Sequence, residues 1–484
     1  MTSDTAAATS APRRGAWKVA LARSIYRAAW WVIAPVAVLR LLWRSRHEPG
    51  YRQHIGERFG FVRRIDVAQG DPLEGAPRVW VHAVSVGETR AAQPLIEALL
   101  GGDPPARVLL THMTPGGRQT GEALFGARVE RCYLPYDMPG AVRRFLHRQR
   151  PDVCALMETE VWPTLLAESR RAGVPVALVN ARMSERSYRR AARFGVAAQA
   201  VFAAFSRVLA QSAADASRLT ALGASVVEVV GNLKFDSEPP AYLLNRGRAW
   251  RERIGPRAVL VAASTREGEE GAVLDAFAAL RKQPGCEQVL LLLVPRHPQR
   301  FDEVQRLAEQ RRWRVVRRSV VFEDSGGDGA AVAAASGAST ALDDTNAANA
   351  AIDQLAAADV LLGDSMGEMA AYFSAADVAF IGGSLVPLGG QNLIEACAIG
   401  VPVLVGPHTF NFTQASDLAI AAGGALRVAN AAELASSAAT LLTDAVRRQA
   451  MGAAALDFAA AHRGATRRIQ AALRELWTAG TALD

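Results

Sequence analysis

Cysteine is scarce in this sequence, and the spacings that mark a disulfide framework or a zinc site are missing. The 484 residues contain four cysteines, which are widely scattered and form no C-x-x-C pair. Disulfide scaffolds and zinc ribbons need several cysteines at close, regular spacings. We therefore expect ordinary buried thiols in a reducing compartment at Cys132, Cys154, Cys286 and Cys397.

Two common nucleotide-binding motifs are also missing. The chain has no G-x-x-x-x-G-K-[ST] loop and no well-placed G-x-G-x-x-G turn. Their absence argues against a P-loop ATPase and against a dinucleotide-dependent enzyme. The eight histidines lack the spacing of metal ligands. We expect neither a bound metal nor another cofactor.

Acidic residues are rare in one short segment, and this explains the net charge of +8. Between Arg13 and Arg64 there are twelve basic residues and only two acidic ones, Glu48 and Glu57. The remainder of the chain is therefore close to neutral. A protein that binds nucleic acid needs a more general basic face, so nucleic acid is not an expected partner.

The apolar run in this basic segment is short for a membrane span. Ala28 to Leu39 is an uninterrupted run of twelve residues, whereas a span needs about twenty. Tryptophans at 30, 31 and 43 stand among arginines, which is typical of a helix in an anionic leaflet. We expect membrane attachment, with a buried core helix as the alternative. Arg27 and Arg40 could also snorkel to two interfaces, so spanning and surface-lying arrangements both stay open.

The rest of the chain alternates between strand-like and helix-like segments. Its length exceeds what one hydrophobic core usually serves, which favours two domains. Such alternation predicts two parallel sheets, whose ligands bind at the carboxyl ends of the strands. The predicted strands are 78–86, 108–111, 153–157 and 176–179 in the first domain, and 258–263, 289–294, 360–362, 378–382 and 401–406 in the second.

The composition also suggests where the segments begin and end. Proline and acidic residues after position 235 indicate a connector, and an Ala-, Gly- and Ser-rich stretch without periodicity indicates a flexible surface insertion. The predicted segments are an extension and anchor helix at 1–48, a first α/β domain at 49–236, a linker at 237–254, a second α/β domain at 255–444 with the insertion at 325–350, and a final helix at 445–484 that packs back on the first domain.

Polar clusters in the first domain follow the predicted strands. Glu88 lies after a glycine at the start of a helix, where a carboxylate can simply favour the helix dipole. A second glycine-rich turn at 111–118 instead suggests the wall of a substrate site. Glu158 and Glu160 follow an apolar strand; one can cap the helix near Pro163, and the other needs a partner. The segment 180–187 offers cations for that partnership, and Lys234 lies at the domain junction.

Glycine-rich turns in the second domain suit a phosphate. They occur at 262–270, 291–298, 363–368, 382–384 and 389–395. Free N–H groups at helix N-termini bind anions. Glu395, one turn into such a helix, can accept hydrogen bonds from ribose hydroxyls. None of these turns is specific alone, because glycine turns occur in every α/β domain.

Taken in order, these motifs resemble those of the 3-deoxy-D-manno-octulosonic acid (Kdo) transferases of lipopolysaccharide assembly. The resemblance runs from Gly50–Gly60 through Gly406–Phe412. It implies two Rossmann-like α/β domains facing a cleft, the GT-B glycosyltransferase architecture, with an N-terminal membrane-associated helix. The domain at 49–236 would bind the acceptor, and the domain at 255–444 would bind the CMP-sugar. It also implies CMP-Kdo as donor, the lipid A precursor lipid IVA as acceptor, and a place on the cytoplasmic face of the bacterial inner membrane. How many Kdo residues are added stays open.

The resemblance also implies roles for individual residues. Glu88 matches the general base, and Glu158 and Lys234 match groups that stabilise the transition state. The matches to the CMP contacts are Pro295, Arg296, Met366, Gly367, Glu368, Asn392, Leu393, Ile394 and Glu395. The departures from the family pattern, the insertion and the N-terminal extension, touch none of these motifs.

Two other functions remain compatible with the residues. A UDP-dependent transferase or epimerase of the same fold would share the glycine turns. A non-catalytic membrane scaffold would keep the basic anchor but would not need Glu88. The function that we predict is inverting transfer of Kdo to the lipid acceptor.

Overall fold

The computed structural model describes residues 16–63, 73–322 and 352–481. The chain forms two compact units. Unit 1 comprises residues 1–237 and 463–484, and unit 2 comprises residues 238–462. The insertion predicted at 325–350 lies outside the described residues, as does the first part of the N-terminal extension.

Unit 1 is built on a seven-stranded parallel sheet with the order β3-β2-β1-β4-β5-β6-β7. The chain runs outward from β1 to β3 and then crosses to the other side with β4. Such a reversal opens a crevice at the carboxyl ends of β1 and β4. The strands are β1 Arg78–His82, β2 Arg107–His112, β3 Glu130–Tyr133, β4 Val153–Met157, β5 Val176–Ala181, β6 Arg207–Ala210 and β7 Val227–Val229.

Unit 2 repeats this plan with a second seven-stranded parallel sheet of order β10-β11-β9-β8-β12-β13-β14. Here the order reverses between β8 and β12. The predicted α/β class with two parallel sheets is confirmed. The strands are β8 Val259–Thr265, β9 Leu290–Pro295, β10 Val315–Arg317, β11 Val360–Leu362, β12 Val378–Ile381, β13 Val403–Val405 and β14 Ala425–Arg427.

Helices connect the strands and cover both faces of each sheet. In unit 1 they are α1 Ala16–Arg44, α2 Val86–Leu100, α3 Pro115–Phe125, α4 Pro139–Gln149, α5 Pro163–Arg171, α6 Glu185–Ala192, α7 Val196–Phe202 and α8 Ala213–Ala221. In unit 2 they are α9 Ala241–Ile254, α10 Glu270–Leu280, α11 Phe301–Gln310, α12 Arg318–Val321, α13 Met369–Ser374, α14 Ile394–Ile399, α15 Thr413–Ala421, α16 Ala431–Thr443 and α17 Ala445–Ala461. The chain then returns to unit 1 with α18 Ala465–Thr481. Short 3₁₀ turns occur at Pro49–Arg52, Ile55–Phe59, Gly126–Arg128, Leu233–Asp236 and Pro298–Arg300, and residues 352–357 are also helical.

The strand period of two divides the core of unit 1 into two layers. Val79 and Val81 of β1 contribute to the layer that contains Ile469 and Leu473 of α18. Trp80, between them, belongs to the opposite layer. Strands that are buried on both faces read as continuous apolar runs. This is why the central strands were visible in the sequence.

Two predicted boundaries are wrong. Residues 241–254, assigned to a linker, form helix α9, which buries Leu243, Trp250 and Ile254. A Cβ on Gly247 would lie 2.3 Å from the carbonyl oxygen of Ala371, so α9 packs closely against α13 within unit 2.

The second wrong boundary is the single final helix. The residues predicted to form one helix form two, of which α17 belongs to unit 2 and α18 belongs to unit 1. The break has a clear cause at Gly464, whose φ of 98° favours glycine. The carboxylate of Asp236 accepts hydrogen bonds from the N–H groups of Gly464 and Thr466, and it thereby satisfies free donors at the start of α18.

Candidate functional site

Glu88 lies in the first turn of α2, directly after the carboxyl end of β1. Its carboxylate turns back and accepts a hydrogen bond from the N–H of Val84 at 2.9 Å and from Ser85 Oγ at 3.4 Å. The carboxylate is therefore held at the edge of the sheet. The residue is only partly buried, so its position remains accessible from solvent.

The environment of Glu88 raises its pKa to about 7. Burial is the largest cause, the hydrogen bond from Val84 opposes it, and the negative charges of Glu158 and Glu160 raise the pKa further. A carboxyl group with this pKa is close to half ionised at neutral pH. That is the range in which a general base combines basicity with availability.

Glu158 and Lys234 meet at the same edge of unit 1. Lys234 Nζ lies 3.7 Å from Glu158 Oε1. Glu158 has a φ of 56°, an uncommon backbone conformation for a side chain that is not glycine, asparagine or aspartate. The structure thus brings together the three catalytic candidates from the sequence, because Glu158 contacts Lys234 and its charge acts on Glu88.

Two asparagines hold the turn that carries Lys234. Asn180 Oδ1 accepts a hydrogen bond from the N–H of Leu233 at 3.0 Å, and Asn232 Oδ1 accepts one from the N–H of Lys234 at 3.0 Å. Asn180 itself has a φ of 50°. The lysine is consequently presented from a turn whose backbone donors are satisfied.

Glu160 is a third carboxylate here, and the sequence did not single it out as a site residue. Its Oε2 accepts a hydrogen bond from Trp162 Nε1 at 2.9 Å and lies 3.9 Å from Nε2 of the fully buried His82. Burial lowers the pKa of His82 to about 3, so its imidazole is neutral at physiological pH. Burial also raises the pKa of Glu160. The available signal was the pair of glutamates two residues apart.

Neither glutamate caps the following helix, contrary to the prediction. Helix α5 begins at Pro163, and its cap residue Trp162 makes no side-chain cap bond. Asp137, which follows β3, instead accepts hydrogen bonds from the N–H groups of Thr164 at 2.8 Å and Leu165 at 2.7 Å. Such a cap from a distant strand leaves no pattern in the local sequence.

In unit 2, Pro295 ends β9 and Arg296 follows it at the carboxyl edge of the sheet. The N–H of Arg296 donates to the carbonyl of Thr265 at 3.0 Å, and the side chain is exposed. Burial lowers the pKa of the neighbouring His297, and the charges of Arg266, Arg296 and Arg300 lower it further. This edge therefore carries a concentration of positive charge suited to a phosphate.

A buried carboxylate fixes the turns around this edge. Glu269, after β8, accepts hydrogen bonds from the N–H groups of Ser384 at 3.0 Å and Leu385 at 2.9 Å. It also accepts hydrogen bonds from the N–H groups of Gly383 and Arg266. The loop after β8 is thereby joined to the loop after β12, a role for Glu269 that was not predicted from the sequence.

The candidates after β11 differ in what they expose. Met366 is 53% exposed, and Gly367 adopts a φ of 83°, so both offer accessible atoms. The carboxylate of Glu368 is buried and is bound by Arg318 at 2.6 Å, by Arg246 and by Ser365 Oγ. Glu368 therefore organises this turn through two guanidinium groups.

The candidates from 392 to 395 surround the start of α14. Asn392 Oδ1 accepts a hydrogen bond from the N–H of Ile394 at 3.1 Å, and its Nδ2 donates to Glu395 Oε1 at 2.9 Å. Leu393 and Ile394 are buried in the core. Their side chains are therefore enclosed, whereas Asn392 and Glu395 remain partly accessible.

In the part of the chain that the structure describes, no group of three or more His, Cys, Asp or Glu side chains is arranged to hold a metal ion. The expectation of a metal-free reaction stays a prediction.

Two parallel seven-stranded sheets in separate units, with polar turns at their carboxyl edges, define a protein of the GT-B glycosyltransferase architecture. The family model described as 3-deoxy-D-manno-octulosonic-acid transferase matches residues 53–237. The chain is 46% identical over 462 residues to the 3-deoxy-D-manno-octulosonic acid transferase of Bordetella pertussis, covering 94% of this chain and 99% of that protein. The chain belongs to the Kdo transferase family and is a glycosyltransferase.

A second relative supports the family, and a solved structure supports the fold. The 3-deoxy-D-manno-octulosonic acid transferase of Haemophilus influenzae is 33% identical over 433 residues, which are 88% of this chain and 92% of that protein. The crystal structure of a UDP-GlcNAc 2-epimerase from Neisseria meningitidis has the same fold, with a TM-score of 0.52 over 82% of this chain and all of that one. At 13% identity, the second likeness shows the fold alone.

Replacing Glu88 with glutamine should stabilise the protein in a pH-dependent way. A folded pKa of about 7, above the usual 4.5, means that folding disfavours the carboxylate. This cost is absent below pH 4.5, grows as the pH rises and is complete above about pH 7. The gain in thermal midpoint from Glu88→Gln should therefore be larger at about pH 8 than at about pH 5.

Glu97→Gln, on the same helix, is the matched control with the opposite sign. A hydrogen bond from Arg128 lowers the pKa of Glu97, so its stabilising contribution is present above the unfolded pKa and lost in acid. This variant should lose stability at high pH. An equal effect of Glu88→Gln at both pH values would contradict the raised pKa.

Proposed function

We propose that this protein transfers Kdo from CMP-Kdo to the lipid A precursor lipid IVA in lipopolysaccharide biosynthesis, with inversion at the anomeric carbon and no metal. The observation that carries the proposal is the Glu88 carboxyl group, which has a pKa of about 7. The charge of Glu158, which pairs with Lys234, contributes to this raised pKa. Family membership supports the transferred sugar. Unit 1 supplies the base and unit 2 binds the nucleotide.

The reaction requires one proton transfer and one substitution. Glu88 removes the proton from the attacking hydroxyl of the acceptor as the new bond to the anomeric carbon forms. The bond to the CMP phosphate breaks at the same time, and CMP leaves. Charge develops on the sugar ring and on the phosphate, so fixed charges at these places lower the barrier. Lys234 beside Glu158, and Arg296 in the arginine-rich edge, are the groups we assign to this task.

The donor nucleotide binds, in this proposal, at the carboxyl edge of the second sheet. The positive charge of Arg266, Arg296 and Arg300 suits the phosphate. The partly accessible carboxylate of Glu395, already oriented by Asn392, suits the ribose hydroxyls. A UDP-dependent enzyme of the same fold is the alternative, and it would prefer uracil to cytosine as the nucleobase of the donor.

The acceptor remains in a bilayer through its acyl chains, and α1 is the element that we propose to bind the enzyme there. Residues Trp17–Arg44 are long and apolar enough to cross a membrane by length and composition. One face of the helix nevertheless packs on unit 1, where Trp30, Ala34 and Leu41 are buried. A helix packed along one side suits a position in the plane of the leaflet rather than across it.

The other face and flanks of α1 support this arrangement. One exposed stripe of the helix is apolar and contains Leu21, Ile25, Val32, Val36, Leu39 and Trp43, while Lys18, Arg23, Arg40 and Arg44 are also exposed. Two open pockets flank the helix, one lined in part by Arg23, Arg170 and Arg171, the other by Arg27, Arg143 and Arg144. Apolar side chains facing the acyl region and arginines beside them suit an anionic surface.

Glu88→Gln should lower turnover by about 10²- to 10⁴-fold, the usual size for loss of a general base. CMP affinity should stay unchanged, because Glu88 and the nucleotide turns belong to different units. In the wild type, kcat/KM should rise with pH through about 7 as Glu88 ionises. Product formation from CMP-Kdo and lipid IVA, measured by mass spectrometry, tests the loss of turnover and the pH dependence. Half of the wild-type turnover in Glu88→Gln would exclude it as the base, and Glu97→Gln should remain fully active.

Arg296→Ala and Glu395→Ala should each weaken CMP binding about tenfold, the effect of losing one good polar contact. Isothermal titration calorimetry with CMP measures this, with the exposed Arg447→Ala of α17 as a control that should bind normally. UDP should compete poorly. Unchanged CMP affinity in both variants would move the nucleotide elsewhere, and tighter binding of UDP would favour the alternative enzyme.

Val32→Glu should weaken attachment to anionic vesicles, because it puts a charge on the apolar face of α1, where Val32 is 69% exposed. Val446→Glu is the matched control at a position 78% exposed in unit 2. Sedimentation with vesicles should show loss of the first variant from the pellet and normal recovery of the second. High salt should release the wild type if α1 lies in the plane. Equal pelleting of both variants would exclude this face.

A further inference from the structure

Helix α1 does more than present an apolar face, because its inner side contacts the segment that carries Glu158 and Glu160. Trp30 packs on Tyr136 with ring centroids 5.7 Å apart. Trp162, from the loop between β4 and α5, packs against the same cluster. The inner face of α1 and the loop after β4 thus share one apolar contact region.

Asp137 connects α1 to the start of α5 through hydrogen bonds. Its carboxylate is 1% exposed and accepts three of them. Two come from the N–H groups of Thr164 and Leu165 at 2.8 and 2.7 Å, and the third comes from Tyr26 Oη of α1 at 2.8 Å. A buried carboxylate needs such donors. The Tyr26 hydroxyl is therefore part of the cap that fixes where α5 begins.

The loop before α5 is fixed in the same region. Trp162, the residue before Pro163, donates its Nε1–H to Glu160 at 2.9 Å. Glu158, at the other end of this short loop, has a φ of 56°. A residue in an unfavourable backbone region keeps it only when the surroundings hold it there. The Glu158 backbone is bound on the β5 side, where its N–H donates to the carbonyl of Val179 at 2.9 Å and its carbonyl accepts from the N–H of Arg182 at 3.2 Å. Trp162, Asp137 and α1 hold the other end of the same loop.

We propose that Tyr26 and Asp137 are positioning residues for catalysis, so that docking of α1 on unit 1 holds Glu158 and Glu160 in their active arrangement. The inference rests on the proposed function, and it adds a second role for the membrane-associated helix. Neither residue touches substrate. They act through the start of α5 and through Trp162.

Tyr26→Phe tests the link while keeping the ring in the apolar cluster. We expect kcat to fall about tenfold, the lower end of the effect of losing one hydrogen bond to a charged group. The KM for CMP-Kdo and the pelleting with anionic vesicles should not change. Tyr242→Phe, at a position 65% exposed in unit 2, removes a hydroxyl without these contacts and should keep full kcat. An unchanged kcat in Tyr26→Phe, or a loss matched by weaker vesicle binding, would overturn the proposal.

Hydrogen–deuterium exchange of the full chain without substrates separates this proposal from the proposed function. In Tyr26→Phe the peptide containing Thr164 and Leu165 should exchange faster than in the wild type, whatever reaction the enzyme catalyses. Asp137→Asn, which keeps one acceptor oxygen, should show the same change. Unchanged exchange in both variants would overturn the positioning role. If the variants exchange faster but the wild-type protein transfers no Kdo, the proposed function fails while the positioning role of Tyr26 and Asp137 stands.

Discussion

Buried carboxylates that accept hydrogen bonds from backbone N–H groups fix the loops of both units in place. Asp137 joins the loop after β3 to the start of α5, and Asp215 accepts the N–H of Met183 after β5 at 2.8 Å. Glu269 joins the loops after β8 and β12, and Asp236 accepts a hydrogen bond from the N–H of Gly464, just before α18. Parallel sheets leave their loops at one edge without a ladder to fix them. A charged acceptor that receives two or more such donors is a strong local constraint.

The sequence predicts the central strands well and the outer ones poorly. β1, β4, β9 and β12 are buried on both faces; β4, β9 and β12 read as unbroken apolar runs, and β1 has an apolar centre between Arg78 and His82. β3, β7 and β14 have only three or four residues and include charged side chains, so no periodicity identifies them. β6 and β10 are equally short and were also missed. Helix α9 was mistaken for a linker because only three of its large apolar side chains are buried.

The candidate site shows the same division. Local spacing drew attention to Glu88, to the pair Glu158 and Glu160, and to Lys234. The family resemblance then singled out Glu88, Glu158 and Lys234, and the structure places the last two 3.7 Å apart. Contacts between distant segments left no such trace. Glu368 accepts hydrogen bonds from Arg246 and Arg318, which lie 122 and 50 residues away in the sequence. The cap of α5 comes from Asp137. Sequence patterns report periodicity and turn chemistry, whereas these partners are selected by the tertiary fold.

The return of α18 to unit 1 has a consequence for the order in which the protein folds during synthesis. Helix α18 completes a core layer with Ala465, Ile469, Ala472, Leu473 and Trp477, and the other buried members of this layer precede residue 234. Unit 2, formed by the continuous segment 238–462, can therefore close while unit 1 still lacks one side of its core. Domains generally fold as they leave the ribosome. Helix α1, which has the length and apolar composition of a membrane-crossing helix, leaves the ribosome before either unit is complete, so it can dock or insert throughout that interval.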